Sequence, residues 1–344
     1  MEDTRSISSY PRLAYLDALR ALAICMVVAI HARAYVNLAA DLEAIIKPIV
    51  TVIAVPVFFL CDGFLFVHGR MLKQRFDYRR YLLSSAKRLL IPWILFSLFY
   101  LALRWMFEVA GILRQELVVG QDPISILLGV YGSAIAPQMY FLLSLFLIRT
   151  LTIFLRHLAT VPIPIVWIAF LIYAFMFREV LVTPLKSALA IDLDPIRHAF
   201  WGLQYYLLGT LLARHHVHVA KATRAFAFSV ISACCLAVAL VVFERSLAVI
   251  QFSCILFAYF LFLAVASREN PLSKFGKNSM GIYLFHAPAL LKGVSGTVRM
   301  LIAQPLLSYF AVITITTVAA YLATRLLRRI PYGTLIFGEI QQKT

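Results

Sequence analysis

The sequence predicts an all-α polytopic membrane protein with about ten transmembrane helices and both termini in the cytoplasm. Three observations carry that expectation. Of the 344 residues, 62% are hydrophobic and only 14% charged, with a mean hydropathy of +0.87, too little polar surface to cover a water-soluble core. Apolar runs long enough to cross a bilayer, about 20 residues each, recur along the whole chain. The basic residues concentrate in alternate short loops between those runs. No polar stretch is long enough for a separate soluble domain, so residues 1–344 form a single membrane-embedded domain.

Taken in order, the expected spans are 13–36, 45–68, 88–108, 137–157, 161–180, 197–214, 221–243, 248–267, 277–298 and 304–327. The first contains Asp17 and Arg20, runs past signal-peptide length and lacks a small-residue cleavage site, so it reads as an uncleaved membrane helix. The apolar segment 122–135 is too short to cross and reads as an interfacial or re-entrant piece. With the N-terminus inside, 21 of the 32 Lys and Arg fall in inner segments, 8 in outer loops and 3 within spans. An odd number of spans would destroy that bias. The net charge of +16 therefore reflects topology and anionic lipid, and nucleic acid is not an expected partner. Cys25, Cys61, Cys234, Cys235 and Cys254 lie in or at the ends of apolar runs without CxxC spacing. They read as small apolar residues, not as disulfides or a metal site.

Charged residues inside spans are costly and usually face a bundle interior or a polar cavity. The first span, YLDALRALAICMVVAIHARAYV, holds Asp17, Arg20 and His31. Arg20 and His31 are eleven residues apart, so they project within roughly 20° of each other and about 16 Å apart along the axis. Asp17 lies about 60° from Arg20 on the same side. Singly, these would be a structural i,i+3 pair and a satisfied interior histidine; together they make one polar stripe. Arg33 points the other way, as if snorkelling to headgroups. Asp62, two turns from the end of the second span, is expected to pair with Arg20, with Gly63 allowing close approach. Either a packing pair or a catalytic group fits that position.

The loop GRMLKQRFDYRRYLLSSAKR carries seven cations, including Arg79, Arg80, Lys87 and Arg88, against one acid. Anionic headgroups and topology account for such a loop; so does a landing site for a phosphorylated cytoplasmic ligand, since arginine binds phosphate bidentately. Near the C-terminus, FGKNSMGIYLFHAPAL offers Gly276, Asn278 and Ser279 as a capped helix start. Tyr283 and His286 follow on one face, and Pro288 then predicts a kink beside His286.

In order along the chain, YLDALRALAICMVVAIHA, VPVFFLCDGF, KRLLIPW, QMYFLLSLFL, YYLLGTLLAR and GKNSMGIYLFH resemble the signatures of the membrane acyltransferase type 3 family. These are bacterial enzymes that O-acylate cell-surface sugars. The likeness is greatest to its short, single-domain members of the enterobacterial-common-antigen O-acetyltransferase type. The chain departs from the family pattern at Asp62, where the family has Ser. It departs also at Gln138 and Tyr140, where the family has His-x-Trp, and at Ser85, where an Arg-x-x-Arg pair would begin.

The resemblance implies a multi-pass protein of the bacterial inner membrane. It would transfer an acetyl or acyl group to a hydroxyl of a cell-surface or lipid-linked glycan. Acetyl-CoA would be the co-substrate, with no bound cofactor and no metal. Arg20 and His31 carry the family's Arg-x10-His spacing and are the catalytic candidates. His31 would act as general base, or as the nucleophile of an acyl-histidine relay. Asp17, Asp62, Tyr283 and His286 would support them, and Arg79, Arg80, Lys87 and Arg88 would bind the donor. Asp17 is too far along the helix to orient the His31 ring, which leaves Tyr283 or His286 for that role. The alternative class is a transporter or flippase for a lipid-linked glycan, for which an intramembrane polar stripe is equally suited. A membrane sensor or scaffold would not need that stripe.

Overall fold

The computed structural model describes residues 13–71, 76–113, 115–132, 134–155, 157, 161–162, 164–168, 170, 173, 194–219, 222–242, 247–331 and 333–338. These residues are all-helical, with no strand among them. Among the described residues, four helices are long and apolar enough to cross a membrane: α1 (Ala14–Arg33), α2 (Ala40–Phe66, continuing as a π-turn through Met71), α3 (Tyr78–Val109) and Pro305–Leu327 near the C-terminus. Shorter apolar helices run over Thr223–Ala237 and Ile250–Val265. Most of the expected span 161–180 lies outside the described residues.

α4 (Pro123–Tyr131) is the short apolar piece. Asp122 caps it by accepting from the backbone N–H groups of Ile124 and Ser125 at 3.0 Å, satisfying donors that a helix start leaves open. The Ser125 hydroxyl and those N–H groups hold the Asp122 carboxyl below the usual aspartate range. None of its residues is buried, and Ile124 and Leu127 face outward. Ahead of α4, Glu108 accepts from Arg104 and from the backbone of Leu117, Val118 and Val119, folding the intervening loop back onto α3.

After a 3₁₀ turn at Pro137–Met139 come α5 (Tyr140–Thr150), α6 (Thr152–Leu155), α7 (Asp194–Val219), α8 (Ala222–Val242) and α9 (Leu247–Val265). The core packs α1 against α2, α2 against α7, and α7 against α5. At the α2–α7 contact the backbones nearly touch: a Cβ on Gly63 would lie 2.0 Å from the Tyr206 carbonyl oxygen, and one on Gly209 equally close to that of Leu60. Gly63 thus serves the α7 contact, where the sequence pointed to a neighbour of Arg20.

The late segment is broken into α10 (Pro271–Gly276), α11 (Ser279–Phe285), a π-turn at His286–Leu290 and α12 (Leu291–Leu301), followed by α13 (Pro305–Leu327) and α14 (Gly333–Ile336). The kink expected at Pro288 is a full opening of the helix, with Ala287 extended at φ −135°, ψ 159°. The side-chain cap belongs to Asn270, which with Ser273 forms a capping box at α10. Asn278 makes no cap hydrogen bond; it accepts from Arg328 and donates to the Lys274 carbonyl. All five cysteines are free.

Candidate active site

Two polar regions lie at different heights in the bundle. The first is a cavity of about 180 Å³ near the N-terminal third of α1. Its wall carries four cations and two carboxylates: Arg20 and Asp17 from α1, Asp62 from α2, Arg88 from α3, Arg149 from α5, and Lys277 between α10 and α11. Tyr283 and Phe337 also line it. Backbone contact of α10 with α1 brings Lys277 there, since any side chain at Gly276 would collide with the Asp17 carbonyl oxygen.

Arg20 lies 3.4 Å from Asp17, the expected i,i+3 pair. The bidentate partner of Asp62, however, is Arg149 rather than Arg20. Arg149 Nε donates to Asp62 Oδ2 at 2.9 Å and Nη2 donates to Oδ1, while Nη1 lies 3.4 Å from the Ser85 hydroxyl. Asp62 sits deep in an apolar helix and needs a cation at matching depth. Arg149, at the end of α5, provides it in the fork geometry that suits a carboxylate. Asp62 and Ser85, two of the positions where the chain departs from the family pattern, therefore meet at one arginine. Arg33 likewise has a protein partner, Glu43 at 2.8 Å, in place of the expected headgroup.

Of the residues expected to bind a phosphorylated donor, Arg88 lines the cavity. Arg79, Arg80 and Lys87 are exposed and are not part of its wall.

The second region is the pair His31–His286, with ring centroids 5.2 Å apart and the rings tilted by 52°. His286 is fully buried. Its Nδ1 is 2.7 Å from the Tyr283 carbonyl oxygen; a carbonyl only accepts, so Nδ1 carries the hydrogen and Nε2 holds a lone pair. Nε2 has no hydrogen-bond partner among the described residues. The helix opening below Pro288 frees carbonyls that lipid cannot satisfy, and side chains take them. Tyr100 donates to Leu284 at 2.6 Å and Gln138 Nε2 to Ala287 at 2.6 Å. Tyr283 donates to the Gln138 carbonyl in return.

Tyr283 connects the regions. Its ring lines the cavity, and its centroid is 6.0 Å from that of His286. Reading the sequence alone missed Arg149, Lys277, Gln138, Tyr100 and Phe337. For Arg149 a signal existed: a buried acid on one span requires a cation on another. Tyr140, a further departure from the family pattern, packs against the His198 ring at a centroid distance of 4.0 Å and a tilt of 33°.

A model of the acyltransferase domain family matches residues 13–325, which takes in α1 through α12, most of α13, both histidines and every charged residue of the cavity wall. The chain belongs to the membrane acyltransferase type 3 family. It is an acyltransferase and a membrane protein. Searches of curated proteins and of solved structures find no match. Family membership sets aside the transporter reading, for which the polar stripe alone had been equally suitable.

Proposed function

We propose that this acyltransferase moves an acetyl group from cytoplasmic acetyl-CoA to a hydroxyl of a cell-surface or lipid-linked glycan in the bacterial inner membrane. The single domain would cross ten times with both ends inside. The observation that carries the reading is the adjacency of His31 to the unpartnered Nε2 of His286, with Tyr283 linking that pair to a cationic cavity.

In this reading the cavity receives the pantetheine arm of the donor, with its phosphates toward Arg88 and toward Lys277, which would exchange its Glu269 partner for them; these are the more exposed cations of the wall. Arg20 lines the way from there to the histidines. His286, with its hydrogen on Nδ1, would offer its Nε2 lone pair to an N–H of His31 once substrate draws the two rings, 5.2 Å apart at their centroids, together. That fixes the His31 tautomer and leaves its other nitrogen free to take a proton. The acceptor hydroxyl gives its proton to that nitrogen as its oxygen attacks the thioester carbonyl. The C–O bond forms, the C–S bond breaks, and the His31 imidazolium returns the proton to the departing thiolate. Ester and free CoA are the products. His286 is thus the orienting partner that α1 itself does not supply.

The test is acetyl-CoA-dependent release of free CoA thiol by the purified protein in detergent, in the presence of a glycan acceptor. Mass spectrometry of surface glycans from cells with and without the protein accompanies it. Acetyl esters that depend on the protein support the reading. Unchanged glycans together with no thiol release refute it.

A further inference from the structure

The family match ends at residue 325, yet a residue twelve positions further on, Phe337, lies in the wall of the cationic cavity. Phe337 is 2% exposed. The Arg328 guanidinium carbon stands 5.4 Å from its ring centroid, and the Phe285 ring packs against it at 6.2 Å. The next residue, Gly338, has φ +65° and rests on the α3 backbone: a Cβ there would fall 2.5 Å from both Cα and the carbonyl oxygen of Arg88. Both the backbone conformation and the space therefore require glycine. At its other end, Arg328 donates from Nη1 to the Asn278 side chain, one residue from Lys277.

We propose that Arg328 together with residues 333–338 forms a strap that sets the distance between Arg88 and Lys277 and thereby the affinity of the cavity for the phosphates of its ligand. The strap touches the backbone that carries Arg88 on one side and the turn that carries Lys277 on the other. Phe337 fills the gap between them as an apolar stop. Two cations on separate helices bind a polyphosphate well only when their spacing is held in advance. α3 meets α11 further along through Tyr100–Leu284 and Phe96–Phe285, and at the level of Arg88 and Lys277 this segment adds a second link. Phe337 and Gly338 act here as positioning residues, since the cations make the contact.

This inference rests on the cavity being the donor site, and the experiment separates the two. Coenzyme A binding is measured by calorimetry on the full chain and on Gly338→Val, whose side chain cannot seat on Arg88. The expected result is a loss of about tenfold in affinity, comparable to one charge-assisted hydrogen bond. KM for acetyl-CoA should rise in parallel, with kcat within about twofold. Phe337→Ala should reproduce the loss and Phe337→Leu restore most of it, and this pair replaces Gly338→Val should that variant not insert. A separate readout needs no donor: in a cysteine-free background, Met280→Cys at the cavity wall is labelled with a charged maleimide. Labelling should be faster when Gly338→Val is added. Native coenzyme A binding with unchanged affinity in the strap variants overturns the strap. If the native protein does not bind coenzyme A, the donor reading fails instead, and labelling alone decides the strap: a faster rate upholds it and an unchanged rate overturns it.

Discussion

The cationic cavity and the histidine pair solve opposite problems with different materials. The cavity is built from two ion pairs, Asp17–Arg20 and Asp62–Arg149, and from Arg88 and Lys277 on two further segments, with charges that would suit a ligand bringing charge of its own. Of the histidine pair, His286 is buried and held by a hydrogen bond to the Tyr283 carbonyl, its Nε2 without a partner among the described residues, and His31 stands half-buried beside it. A polyphosphate is best held by formal charge, which acts at longer range and tolerates small errors in position. A proton acceptor requires a fixed tautomer and a fixed lone pair, which neutral hydrogen bonds supply. The two regions therefore should respond to substitution in different quantities.

The largest expected effect tests that division at its chemical end. His31→Ala should lower kcat by about 10² to 10⁴-fold, the range for losing a general base, while coenzyme A still binds. Normal turnover by that variant removes His31 from the chemistry, and loss of coenzyme A binding would show that the two regions are not separable.

Next comes the ion pair beside the cavity. Asp62→Ala strands the Arg149 guanidinium in a largely buried position and should cost about 3–5 kcal/mol of stability, read as a lowered unfolding temperature in detergent. The double variant Asp62→Ala, Arg149→Leu should recover much of that. A single variant as stable as the parent would mean that water or lipid headgroups already solvate Arg149.

The smallest effect sharpens the cavity's own boundary. Arg88→Ala should raise KM for acetyl-CoA by about tenfold with little change in kcat, whereas Arg79→Ala should leave both within about twofold. Equal effects from the two would return the donor phosphates to the loop as a whole.

The long helices were legible because length and hydropathy suffice to place them: α1, α2, α3 and α13 match their expected spans to within a turn or two, apart from the polar start of α3. The polar stripe of α1 was legible from helical geometry alone. What escaped was pairing between helices. Arg149 stands towards the inner end of an apolar run, where a cation reads as a topology signal, and only the depth of Asp62 draws it inward. Arg79 and Arg88 were grouped by composition, but nine residues of helix put them on opposite sides of α3. Phe337 belongs to no motif, and its place follows from how the chain end folds back. Sequence periodicity reports which face of a helix is polar; it carries no address for the neighbour that face meets.

The opened turn at His286–Leu290 has a consequence for when the protein becomes competent. The carbonyls at and just before it, of Tyr283, Leu284 and Ala287, are met by His286 itself, by Tyr100 from α3 and by Gln138 ahead of α5, segments inserted at very different moments of synthesis. Until α3 and the Pro137–Met139 turn have docked, water or another donor must cover those oxygens, and the His286 ring lacks its finished setting. Activity would then arrive only with the last helices, so that a half-assembled chain in the membrane holds the parts of an acyltransferase before His286 is set beside His31.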